Sequence, residues 1–188
     1  MKKLLIFFAM TLLFFTASGQ KVKKEAPPLR ERIFFGGNFG LQLGTITNIN
    51  LSPIVGLWVL PRLAVAAGPY YTFYKDPQGR TDIYGGKSYI QFVVFQDLNK
   101  FIPLGSNTGL FLHLEDECLS LNSGYWKNVV TPPDRFVINT LLGGVGLSQQ
   151  IGKKASLNIM VLWSLLETDP EMGSRIYSNP EIRIGFTF

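Results

Sequence analysis

At 188 residues with a single cysteine, the chain is long enough to close one core and cannot form an intrachain disulfide. Its formal charge of +5 falls to +3 once the segment carrying Lys2 and Lys3 is removed. No basic run interleaved with stacking aromatics appears, which argues against a nucleic-acid partner. Aromatics at 13%, charged residues at 16% and 19 glycines favour many short strands over a helical bundle.

The chain opens MKKLLIFFAMTLLFFTASGQ: two lysines, an apolar run from Leu4 to about Thr16, then the small residues Ala17 and Gly19. That order predicts a secretory signal peptide over 1–19, cut to leave Gln20 first. The apolar run is shorter than the roughly 20 residues a spanning helix needs. Residues 20–30, QKVKKEAPPLR, are charged and hold Pro27 and Pro28, so they read as an exposed periplasmic leader.

Strand-like runs then follow to the last residue, near 31–45, 48–60, 63–75, 87–102, 108–122, 136–151, 155–168 and 180–188, with no sustained helical period. Alternation is clean in five of them. In the first, Ile33, Phe35, Phe39, Leu41 and Leu43 oppose Gly36, Asn38, Gly40 and Gln42; in the seventh, Leu157, Ile159, Val161, Trp163 and Leu165 oppose Ser156, Asn158 and Ser164. A period of two puts such sets on opposite faces of a sheet. The fourth run is apolar on both parities near Phe92 to Phe95, the fifth is expected to shift phase near Asp116, and in the sixth Leu142 falls out of pattern.

Connections alternate in length. PR (61–62), PLGSN (103–107) and GKK (152–154) are tight, whereas 76–86, 123–135 and 169–179 are long; the connection near Thr45 to Asn48 is short where a long one is expected. An even number of antiparallel strands with tight turns at one end and long loops at the other predicts an all-β, eight-stranded up-and-down transmembrane β-barrel over 31–188. One face is almost purely Leu, Ile, Val and Phe, and the runs are long enough to cross a bilayer at about 9–11 residues each. The other face carries Gly, Asn, Gln, Ser and Thr with a few charges, which suits an interior just wide enough for side chains to fill. On that reading the closing strand, PEIRIGFTF, turns Ile182, Ile184, Phe186 and Phe188 to lipid and Glu181, Arg183 and Thr187 to the lumen.

NLSPIVGLWVLPRLAVAAGPYYTF (50–73) turns a Ser-Pro-x-x-Gly strand tightly into a Gly-Pro-Tyr strand, and the chain closes on IRIGFTF (182–188). In these stretches it resembles the small outer-membrane β-barrel family of Gram-negative bacteria, of the OmpA- and OmpX-like size class, over roughly 31–188. The resemblance implies that Phe186 and Phe188 belong to a C-terminal signal read by the barrel-assembly machinery. It implies no catalytic residues.

Candidate chemistry is sparse. His113, the only histidine, together with Ser120 and Glu115 or Glu117 has the parts of an outer-membrane lipid hydrolase. On one strand, however, Ser120 lies about 23 Å from His113 at 3.3 Å per residue. The expected arrangement is a structural polar network of His113, Glu115, Glu117, Glu181 and Arg183, with Arg32 or Lys100 as further partners, since a filled barrel must pair its charges. GGVG (143–146) lacks the Lys-Ser/Thr of a phosphate loop. Tyr71, Tyr74, Tyr89, Tyr125 and Trp126 are expected in an interfacial belt. No cofactor, metal or catalytic residue is expected. The expected partners are outer-membrane lipids, the assembly machinery and an extracellular ligand met through three long loops, with a monomeric protein in the cell outer membrane. The rivals are a lipid hydrolase, a soluble lipocalin-like barrel holding an apolar ligand, and a narrow conducting pore.

Overall fold

The computed structural model describes residues 27–103, 107–127, 135–152, 155–169, 176–177 and 179–188. The signal peptide expected over 1–19 and most of the expected leader lie outside the described residues. Eight strands follow in order: β1 (Ile33–Gln42), β2 (Thr47–Leu60), β3 (Leu63–Asp76), β4 (Gly79–Phe95), β5 (Thr108–Asn122), β6 (Arg135–Gln150), β7 (Ser156–Glu167) and β8 (Glu181–Thr187). Each pairs antiparallel with its neighbour in sequence, and β1 pairs with β8 to close the barrel.

Several boundaries differ from the sequence reading. β4 begins at Gly79, not near residue 87, because Asp76 caps a tight hairpin: its carboxylate accepts from the backbone N–H of Gln78 (2.8 Å) and Gly79 (3.1 Å). The expected long loop over 76–86 is therefore mostly strand. At the other end the expected tight PLGSN turn is part of a longer connection, 96–107, holding a 3-10 turn at Leu98–Lys100 whose start is capped by Asp97. Short helical turns, absent from the sequence reading, stand at Leu29–Arg32 and Ser123–Trp126. Lys100 lies in that 3-10 turn, and Arg32 donates to the carbonyls of Trp58 and Val59, so neither joins a lumen network.

The registers fix the shape. Ile33 pairs with Leu57, Leu57 with Val65, Val65 with Ile90, Ile90 with Leu114, Leu114 with Gly143 and Gly143 with Trp163. Extending the β7–β8 and β8–β1 registers carries this path through residue 180 to residue 43, about ten residues above its start. Eight strands with that shear tilt by about 41° and enclose a radius of about 8 Å. Side chains fill such a cylinder.

The two faces divide as the alternation predicts through most of the wall. Ile33, Phe35, Phe39, Leu51, Val55, Ile90, Leu112, Leu114, Ile159, Ile182 and Ile184 point outward and are 41–69% exposed. From Ile33 to Leu43 this apolar band rises about 25 Å along the axis at the tilt and rise above. Inside, Phe34 lies over Gly56 and Phe111 over Gly146; a Cβ at either glycine would stand 2.1–2.3 Å from the ring.

The expected phase shift in β5 does not occur, since its pairing with β6 is unbroken from Thr108 to Asn122. What changes is polarity. In the lower half Leu112 and Leu114 face out while His113, Glu115 and Glu117 face in; in the upper half Asp116 and Cys118 face out while Leu119 and Leu121 are buried inside. β4 does the same: Ile90 and Phe92 outside oppose Lys87 and Tyr89, then Asp82 and Arg80 outside oppose Ile83 and Thr81. Above this line Ile83, Leu119, Leu121, Ile138, Leu142 and Trp126 form an apolar core within the barrel. Leu142, out of pattern in sequence, lies on the same inward parity of β6 as Ile138, Thr140 and Gly146, opposite Glu115, where the upper interior is apolar.

Candidate functional site: a buried charge cluster across the lumen

The period of two on β5 sets His113, Glu115 and Glu117 in one inward column, and β8 sets Glu181 and Arg183 in another. Arg183 reaches across the interior between them. Its Nε donates to Glu181 Oε1 (2.6 Å), and its Nη1 donates to Glu117 Oε1 (2.7 Å) and to Glu115 Oε1. All five residues that the sequence suggests for a polar network are brought together. Glu115, Glu117 and Arg183 are 9% exposed or less.

Two members were not legible as such. Lys87, directly opposite Glu117 on β4, extends its ammonium to Glu115 Oε2 (3.4 Å). It belongs to a stretch that the sequence reading placed at the very start of a strand, where a lysine is ordinarily solvated. Tyr177, from the β7–β8 connection, folds back and donates to Glu117 Oε2 (2.5 Å). Burial, with the Glu117 carboxylate beside it, raises this phenol well above its ordinary range.

His113 Nε2 lies 3.3 Å from Glu115 Oε2, and its ring packs against Tyr89 (4.6 Å between centroids) and Phe111 (6.2 Å). Ser120 sits on the outer side of the wall, where its hydroxyl accepts from Arg135 Nε (2.9 Å). The wall thus separates the histidine from the serine with which it shares a strand. Among the described residues, no group of three or more His, Cys, Asp or Glu side chains is placed to hold a metal ion.

The cluster divides the interior. On the terminus side lies a cup of about 410 Å³, lined by Phe34, Trp58 and Tyr89 together with the amides of Gln91, Gln150 and Asn158. On the loop side the apolar core closes the barrel. Between them the charges pair with one another, which is the arrangement a low-dielectric interior requires.

The aromatic belt needs correction. Tyr71 faces outward, and its hydroxyl donates to Asp82 (2.7 Å). Tyr89 and Trp126 are buried inside at 8% and 4% exposure, and Tyr74 and Tyr125 pack with Trp126 at centroid separations of 5.4 Å. Tyr74 and Tyr89 sit on inward parities of their strands, and the helical turn after β5 carries Tyr125 and Trp126 over the mouth. Tyr84, grouped in sequence with the same aromatics, is exposed on the outer wall beneath the Arg135 guanidinium (3.9 Å to the ring centroid). Phe186 and Phe188 are exposed at the terminus end of β8.

The chain matches no protein-family model and no curated protein.

Proposed function

We propose that the protein is an exported, monomeric, integral outer-membrane barrel with a filled lumen. Its role is structural or adhesive, exercised at the loop end, and Phe186 and Phe188 serve recognition by the assembly machinery. The observation that supports this most directly is the inversion along β4 and β5. A strand of a water-soluble sandwich or barrel keeps its apolar parity facing one core along its length. Here the apolar parity faces outward below Asp116 and inward above it, with no shift of register. Such a switch matches a change of surroundings from hydrocarbon to water at that level. The outward band of about 25 Å also has the height of a transmembrane barrel. At the loop end, where two long connections follow β5 and β7 rather than the expected three, the described surface that could meet a partner carries the outward Lys75 and Arg80.

Fractionation and heat-modifiable gel migration test this together. The protein is expected in the outer-membrane fraction after a urea wash, with a folded band that migrates differently from the boiled one. A protein recovered in the soluble periplasm overturns the proposal, and steady channel openings in a planar bilayer overturn the filled lumen.

A further inference from the structure

Below the charge cluster the interior changes character. The cup of about 410 Å³ at the terminus end is walled by residues from every strand but β3, and no charged side chain lines it. Its apolar wall is aromatic. Phe34 and Trp58 stand 5.8 Å apart with their rings inclined at 47°, and Tyr89 and Phe111 lie deeper, against His113. Its polar wall is made of carboxamides and hydroxyls, chiefly Gln91, Gln150, Asn158 and Ser148.

These polar groups are only loosely engaged. Gln150 Oε1 accepts from Asn107, and Asn158 Nδ2 donates to Thr187 Oγ1, both at 3.4 Å, beyond the usual length of such a bond. Gln91, on the inward parity of β4 two residues from Tyr89, has no side-chain partner among the described residues. The polar atoms that are sealed without a partner lie elsewhere, in residues such as Ser52, Thr140 and Glu181, so the free amide atoms of the cup are open to it. Higher in the barrel the interior is filled by paired charges and then by apolar side chains. The cup instead turns neutral polar groups toward an open volume, within the range of roughly 300–1,000 Å³ found for small-molecule sites.

That lining selects by chemistry. A charged ligand would give up its hydration with no opposite side-chain charge to meet it. An apolar ligand would leave the carboxamides unpaired. A sugar suits both walls: each hydroxyl donates and accepts, as a carboxamide does, and the C–H face of a pyranose ring packs on an aromatic face. We infer that the cup at the terminus end is a binding site for a neutral saccharide of one or two rings. A ring lies against Trp58 and Phe34, and its hydroxyls exchange hydrogen bonds with Gln91 at depth and with Gln150 at the exposed rim. The site stands at the opposite end of the barrel from the long loops and does not depend on what surrounds the wall.

The test uses the folded protein in micelles of a detergent without a sugar headgroup, since a glucoside or maltoside would compete. Maltose and N,N′-diacetylchitobiose are titrated in and followed by calorimetry and tryptophan fluorescence. Deacetylated chitobiose, the same two rings carrying ammoniums in mildly acidic buffer, is the charged counterpart. The expected result is one molecule of a neutral disaccharide per chain, held at least about tenfold more tightly than the ammonium form. Gln91→Leu and Gln150→Ala, each checked for native fold by circular dichroism, should weaken it by about threefold to tenfold. Gln150 is at an exposed rim position, so its variant keeps the test open if Gln91→Leu fails to fold. No saturable binding of either neutral disaccharide up to about 10 mM, equal affinity for the ammonium form, or an affinity unchanged in every folded variant each overturns the site.

Discussion

Arg183→Met removes the one side chain that touches all three carboxylates of the lumen. Glu115 keeps Lys87 at 3.4 Å and His113 at 3.3 Å, but Glu117 is left with the Tyr177 hydroxyl, and Glu181 loses its 2.6 Å donor. Because Glu117 is fully buried, the dominant cost is a carboxylate without a cation, about 3–5 kcal/mol for breaking such a pair. Against a total stability of about 5–15 kcal/mol that is a large share. Glu117→Gln alone should cost less, about 1–3 kcal/mol, since Arg183 retains Glu115 and Glu181. In the double variant, neutralising Glu117 removes the stranded charge, so the two losses should fall short of their sum by about 0.5–3 kcal/mol. Urea titration of the barrel in micelles, read by gel migration and tryptophan fluorescence, measures all three. A loss below 1 kcal/mol for Arg183→Met, or strict additivity in the double variant, would refute the view that these charges hold one another.

Replacing Gly146 by Val should displace the Phe111 ring and cost about 1–3 kcal/mol in the same titration, because a Cβ there has no room. Leu112→Arg, well inside the outward apolar band of β5, should cost about 2–4 kcal/mol in lipid, against about 0–1 for Cys118→Arg, above the level at which that face turns polar. Equal costs at the two depths would contradict a bilayer around the wall. Cys118 is exposed on the outer face, so a membrane-impermeant maleimide should label it on intact cells; labelling only after lysis would reverse the proposed orientation.

Much of the wall was legible because strand parity is a local property: Phe35 and Asn38, or Ile159 and Asn158, declare their faces without any tertiary knowledge. The lumen network was legible for a related reason, since charges on an otherwise small, polar parity had to meet inside. What escaped were features decided by partners distant in sequence. The hairpin at 77–78 was hidden because Pro77 and Gly79 sit inside a longer polar stretch whose remainder, Arg80 to Gly86, pairs with β3. That misplacement in turn concealed Lys87. Tyr177 comes from a connection, and nothing local tells a loop tyrosine to reach Glu117. The apparent phase shift near Asp116 was a change of environment mistaken for a change of register, a distinction that needs the unbroken pairing with β6. The aromatics grouped by proximity in sequence separated by parity once the strands were paired.

The polar switch does not occur at one height all the way round. On β4 and β5 the outward face turns polar at the Ser88–Asp116 pair, whereas Phe73 on β3 carries apolar character further up, by about 8 Å or more along the axis at the tilt and rise above. A cylinder with a sloping waterline does not stand upright. Seated in a bilayer, it leans until the short side meets the headgroups, or the leaflet thins beside Asp116 to meet it. Either adjustment gives the molecule a front and a back, and so a preferred way of facing its neighbours.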